Sequence, residues 1–412
     1  MSTWANRRLP SRAAFVVAAC SFVFVFAAAG TPIPLLNTYR AEDGITKSDL
    51  GIVSVGYFVA AAIALLVFGR LSNHLGRRPV ALAALASASL SCALLISMHG
   101  VLPLMMARVL QGLACGLAPS ALGAYVVDLA PPRPSWLPAV ITGSAPMVGI
   151  PIGAVTCGAL VQVGPAPRTL VYLITLAVLA GCAVLVAMGP ETMPRRGGAV
   201  ASLRPRLQVP AGANRLVLAA GAAFVATWSL GGFYQAFGPS VAAEQLGTTS
   251  PLVAATMFAS MMVLNPVGGP AIARLAPAMA LRLGMAIFVV ALVGILVSLH
   301  AGAFVPLIGA SLIVGLAQGA ASTAGIRGLL ADAKAEERAG LLATIYLIGY
   351  SGAAVPGMIA ARLATSVDLF DIAVGYAVLG AVAAVIAAVA ARGGRAEHEQ
   401  PKRQRHTEEI TQ

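Results

Sequence analysis

The sequence predicts an all-α polytopic membrane protein in which twelve helices cross the bilayer. Three observations predict this class: an apolar composition, apolar runs of spanning length along the whole chain, and basic residues that collect in alternate connections. Of 412 residues, 58% are hydrophobic and 10% are charged, whereas a soluble domain carries about 25% charged residues. Because a spanning helix needs about 20 apolar residues, twelve spans fit in this length with short connections.

The apolar runs define the predicted spans in chain order. Prolines 32 and 34 should break the end of the first span, and residues 37–49 are predicted to be a polar outside loop. A cleavable signal peptide is an alternative for the first segment, since arginines, an apolar core and small residues also describe one. The predicted spans are 13–36, 50–68, 80–98, 101–130, 136–163, 170–189, 215–240, 252–273, 279–299, 303–330, 340–364 and 370–391.

The distribution of basic residues predicts the orientation. With the N-terminus inside, all but five of the 27 Lys and Arg residues lie at the inside face, as expected for cytoplasmic connections. The net charge of +12 is thus explained by the membrane and requires no nucleic-acid partner. The predicted organisation is a cytoplasmic tail (1–12), a six-helix bundle (13–192), a cytoplasmic linker (193–214), a second bundle (215–391) and a disordered cytoplasmic tail (392–412).

Residues 69–79, GRLSNHLGRRP, form a short polar turn between the second and third spans, which we name the signature turn. It resembles the Gly-x-Leu-x-Asp-Arg-x-Gly-Arg-Arg/Lys signature of the major facilitator superfamily of secondary transporters. Asn73 and His74 replace that family's aspartate and first arginine. The resemblance implies the superfamily fold, with two pseudo-symmetric six-helix bundles that work by alternating access. The matching positions are Gly69, Leu71, Gly76, Arg77 and Arg78.

Arg108 is the one charged residue well inside a predicted span. An intramembrane charge is costly and should face protein or water. Residues 105–112, MMARVLQG, resemble the superfamily motif Arg-x-x-Gln-Gly, which implies a role for Arg108 in proton coupling or substrate interaction. Gln111 shares its helical face. The alternatives are that Arg108 reaches the outer interface or only ties helices together.

The resemblance also implies an ion pair between Arg77 and Asp128 at the cytoplasmic ends of their spans. We predict that this pair latches the inside face in one state and breaks when the halves rock. Because Asn73 carries no charge, the latch should be weaker or biased toward the inward-open state. The alternative is an ordinary interfacial pair. The predicted gate comprises Gly69, Asn73, Gly76, Arg77, Arg78 and Asp128.

Half-polar side chains at helical spacing predict a cavity between the halves, although packing between helices is the alternative for each. An aromatic, Met-rich lining suits lipophilic substrates, and aromatic faces attract organic cations. The first, seventh and eighth spans hold no midplane Asp or Glu. Coupling must then run through Arg108, an end carboxylate or a proton carried by the substrate. The predicted lining is Arg108, Gln111, Trp228, Gln235, Asn265, Gln318, Tyr346 and Tyr350.

These observations predict a monomeric inner-membrane transporter that exports small lipophilic or amphipathic compounds in exchange for protons. Residues 149–160 resemble the helix 5 antiporter motif in disturbed order, which favours export. The expected partners are a small-molecule substrate, protons and membrane lipids, without a cofactor or metal, because the histidines lie in loops or tails. The alternatives are an importer or facilitator of a small metabolite and, more remotely, a non-transporting membrane protein or membrane enzyme.

Overall fold

A computed structural model describes residues 9–205, 207, 209–210, 212–331 and 333–391. This part of the chain contains twelve helices long and apolar enough to cross a membrane, as the sequence predicts. Most of the predicted tail at 1–12 and all of the tail at 392–412 lie outside the described residues. The helices are α1 Ser11–Gly30, α2 Lys47–Phe68, α3 Arg77–Ile96, α4 Val101–Leu129, α5 Leu137–Val163, α6 Leu170–Met188, α7 Asn214–Gln245, α8 Pro251–Ala271, α9 Pro277–His300, α10 Phe304–Leu330, α11 Ala335–Leu363 and α12 Leu369–Ala390.

Successive helices run in alternating directions, so the connections fall at two ends of the molecule. We name the end with the signature turn the signature end. It also carries the connection between α6 and α7, where the Arg196 N–H donates to the His74 carbonyl at 2.9 Å. We name the other end the opposite end. It carries residues 31–46 between α1 and α2 and residues 164–169 between α5 and α6.

The connection from α1 to α2 corrects one expectation. Residues 31–35 form turns, as the prolines predict, but Leu36–Asp43 is a short helix rather than the predicted polar loop. Its apolar side chains Leu36 and Tyr39 are buried, and this burial stabilises a helix that the polar composition of the segment hides. The helix α2 then begins at Lys47, capped by a reciprocal hydrogen-bonded box between Thr46 and Asp49.

Two spans are irregular and a third is longer than predicted. A π-helical segment interrupts α4 at Pro119–Gly123. The helix α8 is broken at Leu264, because Pro266 has no N–H to continue the ladder. The helix α7 continues to Gln245, beyond the predicted end at residue 240. These details change which side chains share a face, while the number and order of spans agree with the sequence.

The first six helices and the last six repeat one packing pattern. In the first half α2 packs on α4 and α1 on α5, and in the second half α8 packs on α10 and α7 on α11. Both halves use a glycine for the close approach: Gly112 lies against the Tyr57 carbonyl, and Gly319 lies against the Asn265 carbonyl. Small residues let helix backbones approach in a membrane. The two halves are therefore pseudo-symmetric, as predicted.

The halves meet mainly through α2 with α11 and α5 with α8. A Cβ on Gly51 would lie 2.6 Å from the Cβ of Ala361, and a Cβ on Gly357 would lie 3.2 Å from Cγ2 of Val55. A Cβ on Gly158 would lie 2.9 Å from the Cβ of Ala255. These contacts lie in the parts of the four helices nearest the opposite end.

The contact between α1 and α5 allows a packing prediction. A Cβ on Gly153 would overlap the Ala27 carbonyl oxygen, whereas a Cβ on Gly143 of the same helix meets nothing within 4 Å. We expect Gly153→Val to destabilise the protein by about 1–3 kcal/mol more than Gly143→Val, since overpacking forces backbone shifts. Thermal melting of both purified variants in one detergent measures this difference. Equal melting temperatures would contradict the packing.

Candidate functional site

Arg108 is buried between α4 and α1, with 1% of its surface exposed. Its Nη1 donates to the carbonyl oxygen of Ala29 at 2.9 Å and to Oε1 of Gln111 at 2.8 Å. Gln111 in turn donates from Nε2 to the carbonyl oxygen of Ala28 at 3.0 Å. Arg108 therefore does not reach the membrane interface, and it ties α4 to the end of α1.

The end of α1 explains why these two side chains are needed. Ala28 lacks its usual backbone donor because residue 32 is a proline, and the Ile33 N–H bonds to Gly30 instead of Ala29. Two carbonyl groups at the C-terminus of α1 are thus left for side chains to satisfy, and Thr31 Oγ1 shares that of Ala28 with Gln111, donating to it at 2.8 Å. A cation is also favoured there by the helix dipole. Arg108 and Gln111 act together as the cap of a broken helix.

On its other side, Arg108 contacts Tyr57, one of two aromatic residues of α2 that lead to the second half of the molecule. Its Cζ lies 4.5 Å from the centroid of the Tyr57 ring, a distance at which a cation is attracted to the ring face. The Tyr57 ring packs edge-on against Phe58, which lies beside Gly232 of α7. Among the described residues, Nη2 of Arg108 has no hydrogen-bond partner, and no carboxylate pairs with the guanidinium.

Three of the predicted lining residues lie together in the second half. The Trp228 ring lies 4.9 Å from the Tyr350 ring and 6.2 Å from the Tyr346 ring, measured between centroids. Phe224 stacks on Trp228 at 5.7 Å. We name these four residues the Trp228 cluster. It forms an apolar aromatic surface on α7 and α11, the two helices of the second half that contact α2.

The other predicted lining residues are more dispersed. Gln235 of α7 is 5% exposed, and its Nε2 has no hydrogen-bond partner among the described residues. Asn265 lies in α8 just after the break at Leu264, and Gln318 lies in α10, where it is buried. Within the part of the chain that the structure describes, no side-chain hydrogen bond connects these three residues to the Trp228 cluster. Their role as cavity lining stays a prediction.

At the signature end, Arg77 is the centre of a polar cluster with Ser72, Asn73 and Asp128, which we name the signature cluster. Its Nε donates to Oδ2 of Asp128 at 3.0 Å. Its Nη1 donates to Oγ of Ser72 at 2.8 Å and to Oδ1 of Asn73 at 2.7 Å. Asn73 thus serves Arg77 as a neutral acceptor where the superfamily signature has a carboxylate. The predicted ion pair between Arg77 and Asp128 is present.

Sequence reasoning missed the role of Glu191, which follows α6. Its carboxylate accepts from the N–H of Arg77 at 2.7 Å and from the N–H of Arg78 at 3.1 Å, and so caps the N-terminus of α3. Gly76 has a φ of 100°, and a Cβ there would lie 2.6 Å from Oε2 of Glu191. The available signal was a carboxylate placed just after a span that ends at the signature end.

The signature cluster lies within the first half. Asp128 also accepts from Oγ1 of Thr192 at 2.8 Å, Arg78 donates from Nη2 to the Ala187 carbonyl, and Gly69 ends α2. These contacts tie α3, α4, α6 and the signature turn after α2 together. The pair between Arg77 and Asp128 is thus not itself a bond between halves. Its role as a latch stays a prediction, and the pair could fulfil that role only by holding the helices of the first half in one arrangement.

Charged contacts between the halves lie at the opposite end. Lys47 Nζ lies 2.6 Å from Oε1 of Glu244, and Nη1 of Arg40 lies 3.9 Å from the same oxygen. Nη1 of Arg40 also donates to Oγ of Ser240 at 3.1 Å. We name Arg40, Lys47 and Glu244 the opposite-end bridge. The sequence does not predict this bridge, because the predicted seventh span ends at residue 240 and leaves Glu244 outside it.

Arg168 holds the connection between α1 and α2 in place for this bridge. It donates to Glu42 and Asp43 at 2.6 Å each and to the Met98 carbonyl at 3.0 Å. Desolvation lowers the pKa of the Arg168 guanidinium, but the bonds to Glu42 and Asp43 outweigh it and the net pKa is raised. Arg168 is therefore charged at any physiological pH and fixes the short helix Leu36–Asp43 within the first half.

The polar contacts between halves are asymmetric along the membrane normal. At the opposite end, the bridge is joined by a hydrogen bond from Ser250 Oγ to Gln162 Oε1 at 3.1 Å. At the signature end, no side-chain hydrogen bond or ion pair among the described residues joins the halves. The halves are thus closed together at the opposite end.

Twelve spans in two equivalent halves, with a buried charge near their interface, define a polytopic membrane protein. A model of the Major Facilitator Superfamily matches residues 18–247, more than half of the chain, and the chain belongs to this superfamily. This superfamily is one of transporters and not of enzymes.

Comparison with known proteins agrees with this family. The quinolone resistance protein NorA of Staphylococcus aureus is 27% identical over 107 residues, which span 26% of this chain and 28% of NorA. A bacterial homologue of the human lysosomal transporter Spinster, in an inward-facing and unoccupied conformation, has a TM-score of 0.72 at 15% identity and covers 93% of this chain and 97% of its own. A point mutant of the nucleoside transporter NupG has a TM-score of 0.69 at 11% identity, covering 92% and 99%. At these identities, the two structures support the fold alone.

Proposed function

We propose that the protein is a secondary active transporter that exports small lipophilic or amphipathic compounds in exchange for protons by alternating access. The observation that carries this proposal is the asymmetry between the two ends: the halves are bridged by charges at the opposite end, while the signature end has polar contacts within one half. Such an arrangement is one of the two states that rocking of two rigid bundles requires.

We further propose that the signature end is cytoplasmic and that the protein lies in the inner membrane. The excess of Lys and Arg at that end supports this orientation. In this orientation, the linker at 193–214 between the two bundles, 13–192 and 215–391, is cytoplasmic, and both termini are inside. We propose that the protein acts as a monomer among membrane lipids. The structure then corresponds to an inward-open state. The similarity to NorA, a resistance protein, supports export.

A second candidate is uptake or facilitated passage of a small metabolite. It is favoured by the carboxylates of the described spans, which lie near the ends: Asp49 begins α2, Asp128 ends α4, Glu244 ends α7, Glu337 begins α11 and Asp371 begins α12. A facilitator needs no carboxylate at depth. An exporter driven by protons must use one of these end groups, Arg108 or a proton on the substrate.

The experiment that separates these functions is proton flux in inverted membrane vesicles. An internal pH gradient is reported by a fluorescent dye, and lipophilic drugs and small metabolites are added in turn. Proton release that requires this protein and responds to one compound class supports export by antiport. Uptake of a radiolabelled compound without proton movement, under the same conditions, would overturn antiport and favour the facilitator.

The signature cluster gives a prediction of its own. We expect Arg77→Ala and Asp128→Ala each to lower transport about tenfold at equal membrane abundance, since removing either partner leaves the other only partly compensated. Arg274→Ala is the matched control, because Arg274 is an exposed arginine in the connection between α8 and α9 at the same end. Transport at the wild-type rate in both variants would show that the cluster has no part in gating.

A further inference from the structure

Arg108 is a buried cation whose partners are all neutral. Its hydrogen bonds go to a backbone carbonyl and to the Gln111 amide, and the ring beside it belongs to Tyr57. Its Nη2 has no partner among the described residues. Buried charges in proteins are normally paired with an opposite charge. The missing carboxylate is therefore a feature that the cap on α1 does not explain.

Most carboxylates at the opposite end already have partners, and Asp368 and Asp371 are exposed at the start of α12. Glu42 and Asp43 bind Arg168, and Glu244 binds Lys47. Asp49 closes the cap of its own helix with Thr46 and lies eight residues before Tyr57, which is about 12 Å along α2. Asp128 lies twenty residues beyond Arg108, about 30 Å along α4. At the depth of Arg108, the described spans thus carry one positive charge and no compensating negative charge.

A second buried donor without a partner in the described part of the chain, on Gln235, also favours a ligand that carries acceptor oxygens. Gln235 of α7 is buried, and its Nε2 is also a donor without a partner among the described residues. The helix α7 contacts α2, where Gly232 lies beside Phe58, so both unpartnered donors belong to helices close to the interface between the halves. Unsatisfied buried donors are costly. A ligand that brings acceptor oxygens satisfies them, whereas an ammonium ligand brings only more donors.

We propose that the transported compound is an amphipathic anion, with an apolar body against the Trp228 cluster and a carboxylate-type group on the Arg108 side of Tyr57. This inference rests on the proposed transport function and names its substrate class. It also replaces the expectation that the aromatic residues select organic cations, because the uncompensated positive charge of Arg108 repels a cation bound beside Tyr57. Even for a ligand charge as far as about 8 Å from Arg108, which is longer than a direct hydrogen bond to Nη2, an effective dielectric constant of about 20 gives the anion roughly 30-fold in affinity over a neutral analogue, and a cation loses the same factor.

The test uses three ligands of one shape: 2-naphthylacetate, 2-naphthylacetamide and 2-(2-naphthyl)ethylammonium. Their binding to the purified full-length protein is measured by equilibrium dialysis, with protein-free micelles to subtract partitioning. We expect the affinity to fall in the order acid, amide, ammonium, with about 1,000-fold between the first and the last. In Arg108→Gln this ratio should fall to near unity while amide binding is retained, and in Arg108→Lys the order should persist.

Retained amide binding also shows that Arg108→Gln is folded. If that variant does not fold, the inference is tested by the order of the three affinities in the wild type and in Arg108→Lys. Ammonium binding as tight as acid binding in the wild type would overturn the inference, as would an acid preference unchanged in folded Arg108→Gln. Transport of the amide or the ammonium in proteoliposomes, without binding of the acid, would overturn this inference and leave the proposed function standing. No binding and no transport of any of the three would overturn both.

Discussion

Replacing Arg108 by alanine is expected to abolish transport, with a loss of about 100-fold or more at equal membrane abundance. The substitution removes the charge near the interface between the halves. It also leaves the Ala29 carbonyl and Oε1 of Gln111 without their donor, and each unsatisfied buried group costs about 1–3 kcal/mol. The end of α1 should therefore loosen where it meets α4. The measurement is substrate transport in inverted vesicles, normalised to protein abundance.

Two further variants separate the charge of Arg108 from simple loss of volume. Met106→Ala is the matched control, because Met106 lies two residues away on α4 and is 50% exposed, so its loss should leave transport unchanged. Arg108→Lys keeps the charge but not the fork of donors, and it should retain part of the activity. Wild-type transport by Arg108→Ala would show that Arg108 is only a structural cap.

Reversing the charge at the opposite-end bridge is the second change with a large expected effect. Glu244→Lys removes the contact to Lys47 at 2.6 Å and sets three cations together with Arg40. Like charges about 4 Å apart repel by about 4 kcal/mol at an effective dielectric constant of about 20, which is an upper value for these half-exposed side chains. We expect the opposite end to open and transport to fall about tenfold or more.

The opening is measured by reaction of a cysteine at Val55 with a membrane-impermeant thiol reagent added from the opposite end, in a Cys20→Ser background. Cys20 is the exposed cysteine, and the other four are buried. The double variant Lys47→Glu/Glu244→Lys restores an ion pair in reverse and should recover protection and transport. The control is Asp371→Lys, an exposed carboxylate in the first turn of α12. If the double variant behaves like Glu244→Lys alone, the contact between the two side chains does not close this end.

Much of the fold is predictable from the sequence because the bilayer imposes it. A span must be long and apolar, so twelve spans are predicted with most boundaries within a few residues. The proline-rich end of α1 is predictable for a local reason, since Pro32 lacks an N–H. The short helix Leu36–Asp43 is not, because its stability depends on burying Tyr39 against distant parts of the chain, among them Tyr172, whose hydroxyl lies 2.6 Å from its own.

The candidate site likewise contains some features that the sequence predicts and others that it does not. Arg108 is predictable because a charge inside an apolar run is rare and visible. Its hydrogen bond to the end of α1 is not predictable, because the Ala29 carbonyl that accepts it lies 79 residues earlier in the chain. Glu191 caps residues more than 100 positions away, and Glu244 pairs with Lys47 of the other half. Single carboxylates at the ends of spans have no pattern that reveals such partners, and only the packing of the helices brings them together.

The most direct test of alternating access is a reversible crosslink between the halves. Val55 of α2 and Gly357 of α11 are in contact near the opposite end, and a cysteine at each is close enough for a disulfide. In the Cys20→Ser background, oxidation of Val55→Cys/Gly357→Cys should form the bond, stop transport, and allow transport to resume after reduction. Each single cysteine should be insensitive to the same treatment. Transport that continues at the wild-type rate with the disulfide formed would contradict the account, because the halves would then not separate there during the cycle.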